Sequence, residues 1–335
     1  MAPLDAPNQP LHAGFLLLPR YTLMSLSCAV SVLRMANRLS GQPLYSWSLH
    51  SVDGEPVESS DGLRLAIDGK LDETVRAKML FACGGIEVEK ACDSEVLHVL
   101  RAVAKRGIPL GALCTGSYAL AAAGLLNGRR CAIHWENIAS LRETFPQVLV
   151  QPSLFVIDRN RYTCSGGISS LDLMLNLVEA HHGRRLARDI SEQFICERIR
   201  DQQDSQRIPL HHYLGASQPR VVEAVALMES NVEEPLSMED LAAYVGVSRR
   251  QLERLFHKHL DCTPSRHYLE LRLQRARLLL LQTDMPVIDI ATSCGFSSAP
   301  HFSKCYQELF GRSPREERRQ SGLHGRPLEP VVVRG

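Results

Sequence analysis

What the chain lacks narrows it first. Ten cysteines are spread over 335 residues, yet there is no CxxC pair and no Cys/His set at zinc spacing. Cysteines scattered in this way read as reduced, buried, small apolar residues rather than a disulfide scaffold. No apolar run approaches the roughly 18–20 residues of a membrane span. Asp5 stands where a secretory leader needs positive charge, and residues 15–18 make too short an apolar core for one. We therefore expect a soluble cytoplasmic protein with no membrane partner, no metal and no cofactor. Charge of one sign is also scarce. The net charge is +1, and between Gly215 and Gln320 there are 14 Lys/Arg against 14 Asp/Glu, so any phosphate-binding surface there must be local.

What is present twice is a helix, a glycine turn and a second helix. Leu241-Ala-Ala-Tyr-Val-Gly246-Val-Ser248 is echoed by Ile290-Ala-Thr-Ser-Cys-Gly295-Phe-Ser297 at an offset of 49. After one extra residue the echo resumes at an offset of 50, matching Leu252, Arg254, Phe256, Asp261 and Pro264 to Phe302, Lys304, Tyr306, Gly311 and Pro314. Such a unit is a helix-turn-helix, built to place its second helix in a DNA major groove. Ser237 and Ser248 are expected to cap helices 238–245 and 249–259. Pro264 starts a long helix to Leu281, Asp284 or Pro286 opens 287–294, and Ser298 opens a last helix through Phe310.

Each second helix has an apolar face, Leu252, Leu255 and Phe256 in one and Phe302, Tyr306 and Leu309 in the other. The opposite faces carry Arg249, Arg250, Glu253, Arg254 and Lys258, then Ser298, Ala299, His301, Ser303 and Lys304. An arginine early in such a helix can bond guanine O6 and N7 in bidentate fashion, and Glu253 can accept from cytosine N4. Lys258, further along, suits a phosphate. In one isolated helix, solvated charge is the plainer reading; duplication of both turn and helix outweighs it.

The first ~180 residues alternate strand and helix patterns. Gly14-Phe-Leu-Leu-Leu18, 47–52, Lys78-Met-Leu-Phe-Ala-Cys83, 108–113, 154–157 and 161–164 read as strands, and Asp61-Gly62 followed by Leu63, Leu65 and Ile67 reads as another. Helical spacing occupies 23–38, 93–105, 117–123, 168–182 and 191–200. Strands separated by helices imply a parallel sheet covered on both faces, an α/β doubly wound domain. The polar, Pro- and Gly-containing stretch 201–219 reads as a linker. The expected organisation is thus a domain 1–200, the linker, an all-α domain 220–320 with two helix-turn-helix units, and a disordered tail 321–335.

Ile108-Pro-Leu-Gly-Ala-Leu-Cys114-Thr-Gly116 reads strand, sharp turn, helix, the layout of a nucleophile elbow. A helix start lowers a thiol pKa and offers backbone N–H groups. His134 follows in Ile133-His134-Trp135-Glu136, and a Cys/His pair is the equipment of a thiol nucleophile with its base. Simple packing of Cys114 at a strand end is the alternative.

Residues 219–319 resemble the AraC/XylS family of transcription regulators. The most specific stretch is Ile290-Ala-x-x-x-Gly295-Phe296-x-Ser298-x-x-x-Phe302-x-Lys304-x-Tyr306-x-x-x-Phe310-Gly311-x-Ser313-Pro314. The resemblance implies two units joined by the helix 264–281, reading successive major-groove segments about 34 Å apart. It places base readers at Arg250, Glu253 and Arg254, and at Ala299, Ser303 and Lys304. Ala299 is a weak reader, so the second half is expected to anchor phosphate or meet thymine methyl groups.

Residues 12–182 resemble the DJ-1/PfpI group of glutamine amidotransferase-like domains through Gly84-Gly85, the Cys114 elbow, His134-Trp135 and Ser165-Gly166-Gly167. That group implies a flavodoxin-like fold. Its first helix usually carries an acid against the elbow cysteine; here Ser31 occupies that place in Ser31-Val-Leu-Arg34, and no Asp or Glu occurs between Asp5 and Asp53. The combination of both domains is similar to the GlxA-like regulators. It implies a ligand-sensing, dimerising front domain and the activation of a catabolic operon. The partners implied are double-stranded operator DNA, a small-molecule inducer, RNA polymerase and a second copy of the chain. Known members answer to arginine, glycine betaine, carnitine or sarcosine, which points to a small carboxylated amine or quaternary ammonium compound. Its carboxylate would meet backbone N–H groups near Gly85 or Cys114 and Thr115, and its cationic head Trp135 and Glu136, with Tyr21 a further candidate. His134 is a ligand hydrogen-bonder or a structural histidine, and Trp135 a cation face or a core residue. A thiol hydrolase or amidase using Cys114 and His134, and a redox sensor through Cys114, are the competing functions.

Overall fold

The computed structural model describes residues 9–72, 74–196, 198–202, 204, 206 and 218–323. The chain divides into two compact units, 1–206 and 207–335.

The strands of the first unit are β1 (Leu11–Leu17), β2 (Tyr45–Ser51), β3 (Val57–Glu58), β4 (Arg64–Leu65), β5 (Gly69–Lys70), β6 (Met79–Cys83), β7 (Leu110–Leu113), β8 (Arg130–Cys131), β9 (Leu149–Val150), β10 (Phe155–Asp158) and β11 (Arg161–Cys164). Its helices are α1 (Leu23–Ser40), α2 (Val88–Ala91), α3 (Ser94–Lys105), α4 (Gly116–Ala122), α5 (Ile138–Thr144), α6 (Ser169–His182) and α7 (Arg184–Gln193). The main sheet runs β10-β11-β7-β6-β1-β2-β5. All its pairings are parallel except the β10–β11 hairpin. Successive strand side chains alternate between faces, so the apolar runs feed two layers. Phe15 and Phe81 point into one layer with Leu33 of α1, Leu173 of α6 and Ile190 of α7; Leu16 and Leu80 point into the other with Leu100 of α3 and Leu120 of α4. This is the expected doubly wound arrangement, and it gathers the loops after β1, β6, β7 and β11 at one edge.

Two expected elements are corrected. The helix expected over 191–200 instead ends at Gln193. Ile195 takes a left-handed conformation and the Cys196 N–H returns to the Ser191 carbonyl, as at a helix end. The reversal lets Arg200 reach back to the buried Asp172 of α6, donating from its backbone N and Nε at 3.0 Å and from Nη2 at 2.6 Å. The strand expected over 63–67 shrinks to Arg64–Leu65 in a small antiparallel pair with β3, and Leu63 stays exposed.

The second unit contains α8 (Pro219–Ser230), α9 (Met238–Tyr244), α10 (Arg249–Leu260), α11 (Pro264–Gln282), α12 (Val287–Ser293), α13 (Ala299–Phe310) and α14 (Pro314–Leu323). The caps fall where the sequence places them. Ser237 accepts from the Asp240 N–H, Ser248 forms a capping box with Gln251, Pro286 precedes α12, and Ser298 caps α13. Val221, Met228, Leu241, Leu252, Phe256 and Tyr268 pack the first half. Ile290, Phe302 and Tyr306 are fully buried in the second. The helix α14 runs into the stretch expected to be a disordered tail; 324–335, and 207–217 of the expected linker, lie outside the described residues. No helix among the described residues is long and apolar enough to cross a membrane.

Candidate functional site

Both helix-turn-helix units turn on a glycine in the left-handed region, Gly246 at φ 68° and Gly295 at φ 75°. The turn leaves the carbonyls at the end of the first helix without helical partners, and an arginine supplies them each time. Arg220 of α8 donates from Nη1 to the Val245 and Gly246 carbonyls at 2.7 and 2.5 Å. Arg272 of α11 donates from Nε and Nη2 to the Cys294 and Gly295 carbonyls at 2.8 and 2.6 Å, and stacks 4.2 Å above the Phe296 ring. With Leu252 and Phe256, and Phe302 and Tyr306, buried, α10 and α13 each present their other side outward.

On α10, Arg250, Arg254 and Lys258 are exposed. Arg249 is held by Glu239 at 2.6 Å and by Glu253 at 3.1 Å, so Glu253 and Arg249 are paired with each other before any base is met. On α13, Ser298 is the cap, His301 lies 3.4 Å from Cys305 Sγ, and Lys304 is 4.0 Å from Glu308. Both recognition helices begin one residue after their cap. By position, therefore, Arg249 corresponds to Ala299, Arg250 to Pro300, Glu253 to Ser303 and Arg254 to Lys304.

In the first unit Cys114 has φ 58°, the strained elbow turn between β7 and α4. Loops from three other strands close on it. Thr22, the N-cap of α1, donates from Oγ1 to Cys114 Sγ at 3.4 Å. Thr115 Oγ1 donates to the Gly85 carbonyl at 2.7 Å. The Gly167 N–H donates to Ser25 Oγ at 2.8 Å. The glycines are required by this closeness: a Cβ on Gly85 would lie 1.9 Å from the Arg20 carbonyl oxygen, and one on Gly166 would lie 2.7 Å from Cys114 Sγ.

Cys114 is 7% exposed. Burial pushes its pKa up to about 11, against the opposing hydrogen bonds from Thr22 and the Thr115 N–H. The lowering expected from a helix start is thus corrected: desolvation outweighs the short helix α4. His134 is not the hydrogen-bond partner found for the thiol. Its Nδ1 stands 3.8 Å from Glu136, its ring 5.7 Å from Trp135, and burial lowers its pKa against the opposing Glu136 charge. Trp135 is 40% exposed, which removes the core reading for it. Tyr21 is fully buried and offers no open ring face. Ile86, Trp135 and Ile168 are exposed apolar residues in the loops around the elbow.

A model of the DJ-1/PfpI family matches residues 15–180, and a helix-turn-helix domain model matches residues 241–320. The HTH-type transcriptional regulator GbdR of Pseudomonas aeruginosa is 53% identical over 327 residues, 97% of this chain and 88% of that protein. The HTH-type transcriptional regulator GlxA of Rhizobium meliloti is 36% identical over 310 residues, 92% of this chain and 96% of that one. The crystal structure of an AraC family transcriptional regulator from Pseudomonas putida is similar with a TM-score of 0.52 at 32% identity, over 55% of this chain and 100% of that one.

The chain belongs to the AraC-type transcriptional regulators that carry a DJ-1/PfpI domain.

In this regulator the structure brings Gly85, Cys114 and Thr115 into one cluster and His134, Trp135 and Glu136 into another. The Ser117 hydroxyl links them by donating to the Ala132 carbonyl at 2.7 Å. Thr115 commits its hydroxyl to Gly85 and so keeps the turn rather than facing outward. Sequence reading missed Thr22, Ser25, Arg220 and Arg272. For Thr22 no local signal exists, since its partner is 92 residues away. For Arg220 and Arg272 a signal did exist: each glycine turn needs a donor for its carbonyls, and each unit follows a helix that could carry one.

Proposed function

We propose that this regulator is a ligand-responsive activator of a catabolic operon, acting as a homodimer on double-stranded operator DNA and engaging RNA polymerase. We infer that its inducer is a small carboxylated amine or quaternary ammonium compound bound at the elbow edge. The carboxylate meets backbone N–H groups at Gly85 and the Cys114 turn, and the cationic head meets Glu136 and the exposed face of Trp135. The exposed Ile86 and Ile168 suit the methyl groups of such a head. On the DNA side, Arg250, Arg254 and Lys258 of α10 and Lys304 of α13 make the main contacts, with Glu253, Ser298, His301 and Ser303 beside them.

One observation carries the coupling between ligand and DNA. Gln206, the last described residue before the second unit, donates from Nε2 to the carbonyls of Ile133 and Ser153 at 2.9 Å each. Ile133 directly precedes His134-Trp135-Glu136, so a ligand that moves this loop acts on the last residue of the first unit, which leads in sequence to the DNA-binding helices. Such a ligand shifts the equilibrium only by its differential affinity for the two loop states.

The test is a thermal-shift screen of the full chain against amino acids, betaines, carnitine and their methylated relatives. A ligand at 100 times its Kd adds about 2.7 kcal/mol of stability. Gln206→Ala should keep the affinity for the hit while removing its effect on operator binding. A hit that leaves operator affinity unchanged in the unaltered chain defeats the coupling. The competing thiol chemistry is addressed by alkylation of Cys114 against pH. A pKa raised to about 11 keeps the thiol neutral at pH 7, so the rate should be low there and climb toward pH 11. A plateau reached below pH 8 would restore the hydrolase and redox readings.

A further inference from the structure

The two helix-turn-helix units can be compared position by position, and at one place they part. Glu239 corresponds to Ile288 at the offset of 49, and Arg249 to Ala299 at the offset of 50. In the first unit Glu239 and Arg249 close the space between α9 and the recognition helix with an ion pair at 2.6 Å. In the second unit the same place is a hollow of about 280 Å³, lined by Val287, Ile288, Ala299, Ser303, Ser313, Pro314 and Arg315. Ile288 is 61% exposed there.

We propose that this hollow seats one phosphodiester of the bound DNA with its deoxyribose, the phosphate held by Arg315 and Ser303. The inference rests on the DNA-binding reading of the second unit. Ala299 and Ser303 lie on the recognition helix itself, so the hollow is continuous with the DNA-facing surface. Its floor of Ile288, Ala299 and Pro314 is apolar, matching the carbon face of a sugar ring. Arg315 is exposed and makes no ion pair among the described residues, which leaves its guanidinium available to phosphate. Three acids nearby are occupied, while Asp289, next to Ile288 in sequence, is exposed. Glu316 accepts from the Ser313 N–H at 2.7 Å, Glu317 pairs with Arg277 at 3.2 Å, and Glu308 lies 4.0 Å from Lys304. The first unit cannot make the same contact, because Glu239 puts a carboxylate where the phosphate would sit. The seat therefore fixes the position of the second unit on the duplex without reading bases.

The experiment begins by selecting a duplex from a random pool with the full chain. Binding is then measured against salt for the unaltered chain, Arg315→Ala and Ile288→Glu, with ethylation interference on the selected duplex. Arg315→Ala should lower the slope of log K against log salt by about one, with base preference unchanged. It should also erase interference at one phosphate of the second half-site. Ile288→Glu places the first unit's carboxylate at an exposed position, so the fold is kept, and it should weaken low-salt binding on the order of tenfold. Helical circular dichroism equal to that of the unaltered chain excludes misfolding. The proposal is overturned if Arg315→Ala leaves slope and footprint unchanged, or if it alters base preference. If the unaltered chain selects no duplex and shows no salt dependence, the DNA-binding reading fails and the seat falls with it.

Discussion

The two helix-turn-helix units share a plan and divide its work unequally. Both have a left-handed glycine and an arginine from the preceding helix that holds the turn carbonyls. In the second unit that arginine is half-buried and stacked on Phe296, and Gly295 is crowded by Pro235 and the Val232 carbonyl. In the first unit Arg220 is exposed, and Gly246 has only the tip of Arg220 near it. The outward faces differ the other way: α10 offers Arg250, Arg254 and Lys258, whereas α13 has Pro300, Lys304 and Glu308 in the matching places. A duplicated unit can thus keep its backbone geometry while the side chains on its outward faces diverge.

The widest gap between the copies is expected in stability. Arg272→Ala strands two turn carbonyls and removes a stacked cation, and should cost about 2–4 kcal/mol; Arg220→Ala, at an exposed site, should cost about 1 kcal/mol. Amide hydrogen exchange resolved to α12 and α9 reads each copy separately, and equal losses would break the comparison. Next come the glycines. Gly295→Ala combines a left-handed φ with contacts of 2.6–2.8 Å to Pro235 and Val232 and should cost about 2–3 kcal/mol; Gly246→Ala meets mainly the strained φ, about 1–2 kcal/mol.

In binding the order reverses. Arg254→Ala should lose roughly 1–3 kcal/mol at one half-site and relax its base preference. Competition assays over single-base variants check this, and an unchanged preference would mean that α10 is not the reader. The smallest effect is expected at Lys304→Ala, about 1 kcal/mol or less, spread evenly over sequences as for a phosphate contact. A sequence-selective loss at Lys304 would give the second copy a reading role.

The legible parts of this fold were those where one segment states its own environment. Strands buried on both faces appear as apolar runs, as in 78–83 and 108–113. Serine caps and the repeat made the helical unit visible almost residue by residue. The illegible parts depended on distant partners. Phe194-Ile195-Cys196 continues a helical pattern in sequence, yet the chain turns there so that Arg200 can reach Asp172. Leu63, Leu65 and Ile67 alternate like a strand, but only Arg64–Leu65 finds a partner. At the elbow the turn was readable and its chemistry was not, because Thr22 and Gly166 come from other strands.

The sequence by itself determined the periodicities, caps, glycine turns and the duplication, since each depends on neighbours within a few residues. From these follow the doubly wound sheet, the paired helix-turn-helix and the family. Only the tertiary structure decided that Cys114 is desolvated, that Trp135 is exposed, and that Arg249 and Glu253 are already paired. It also decided that the second unit has a hollow where the first has an ion pair. Those properties depend on how completely water is excluded and on which charges face each other. Both are set by segments far apart in the chain that meet only when it folds.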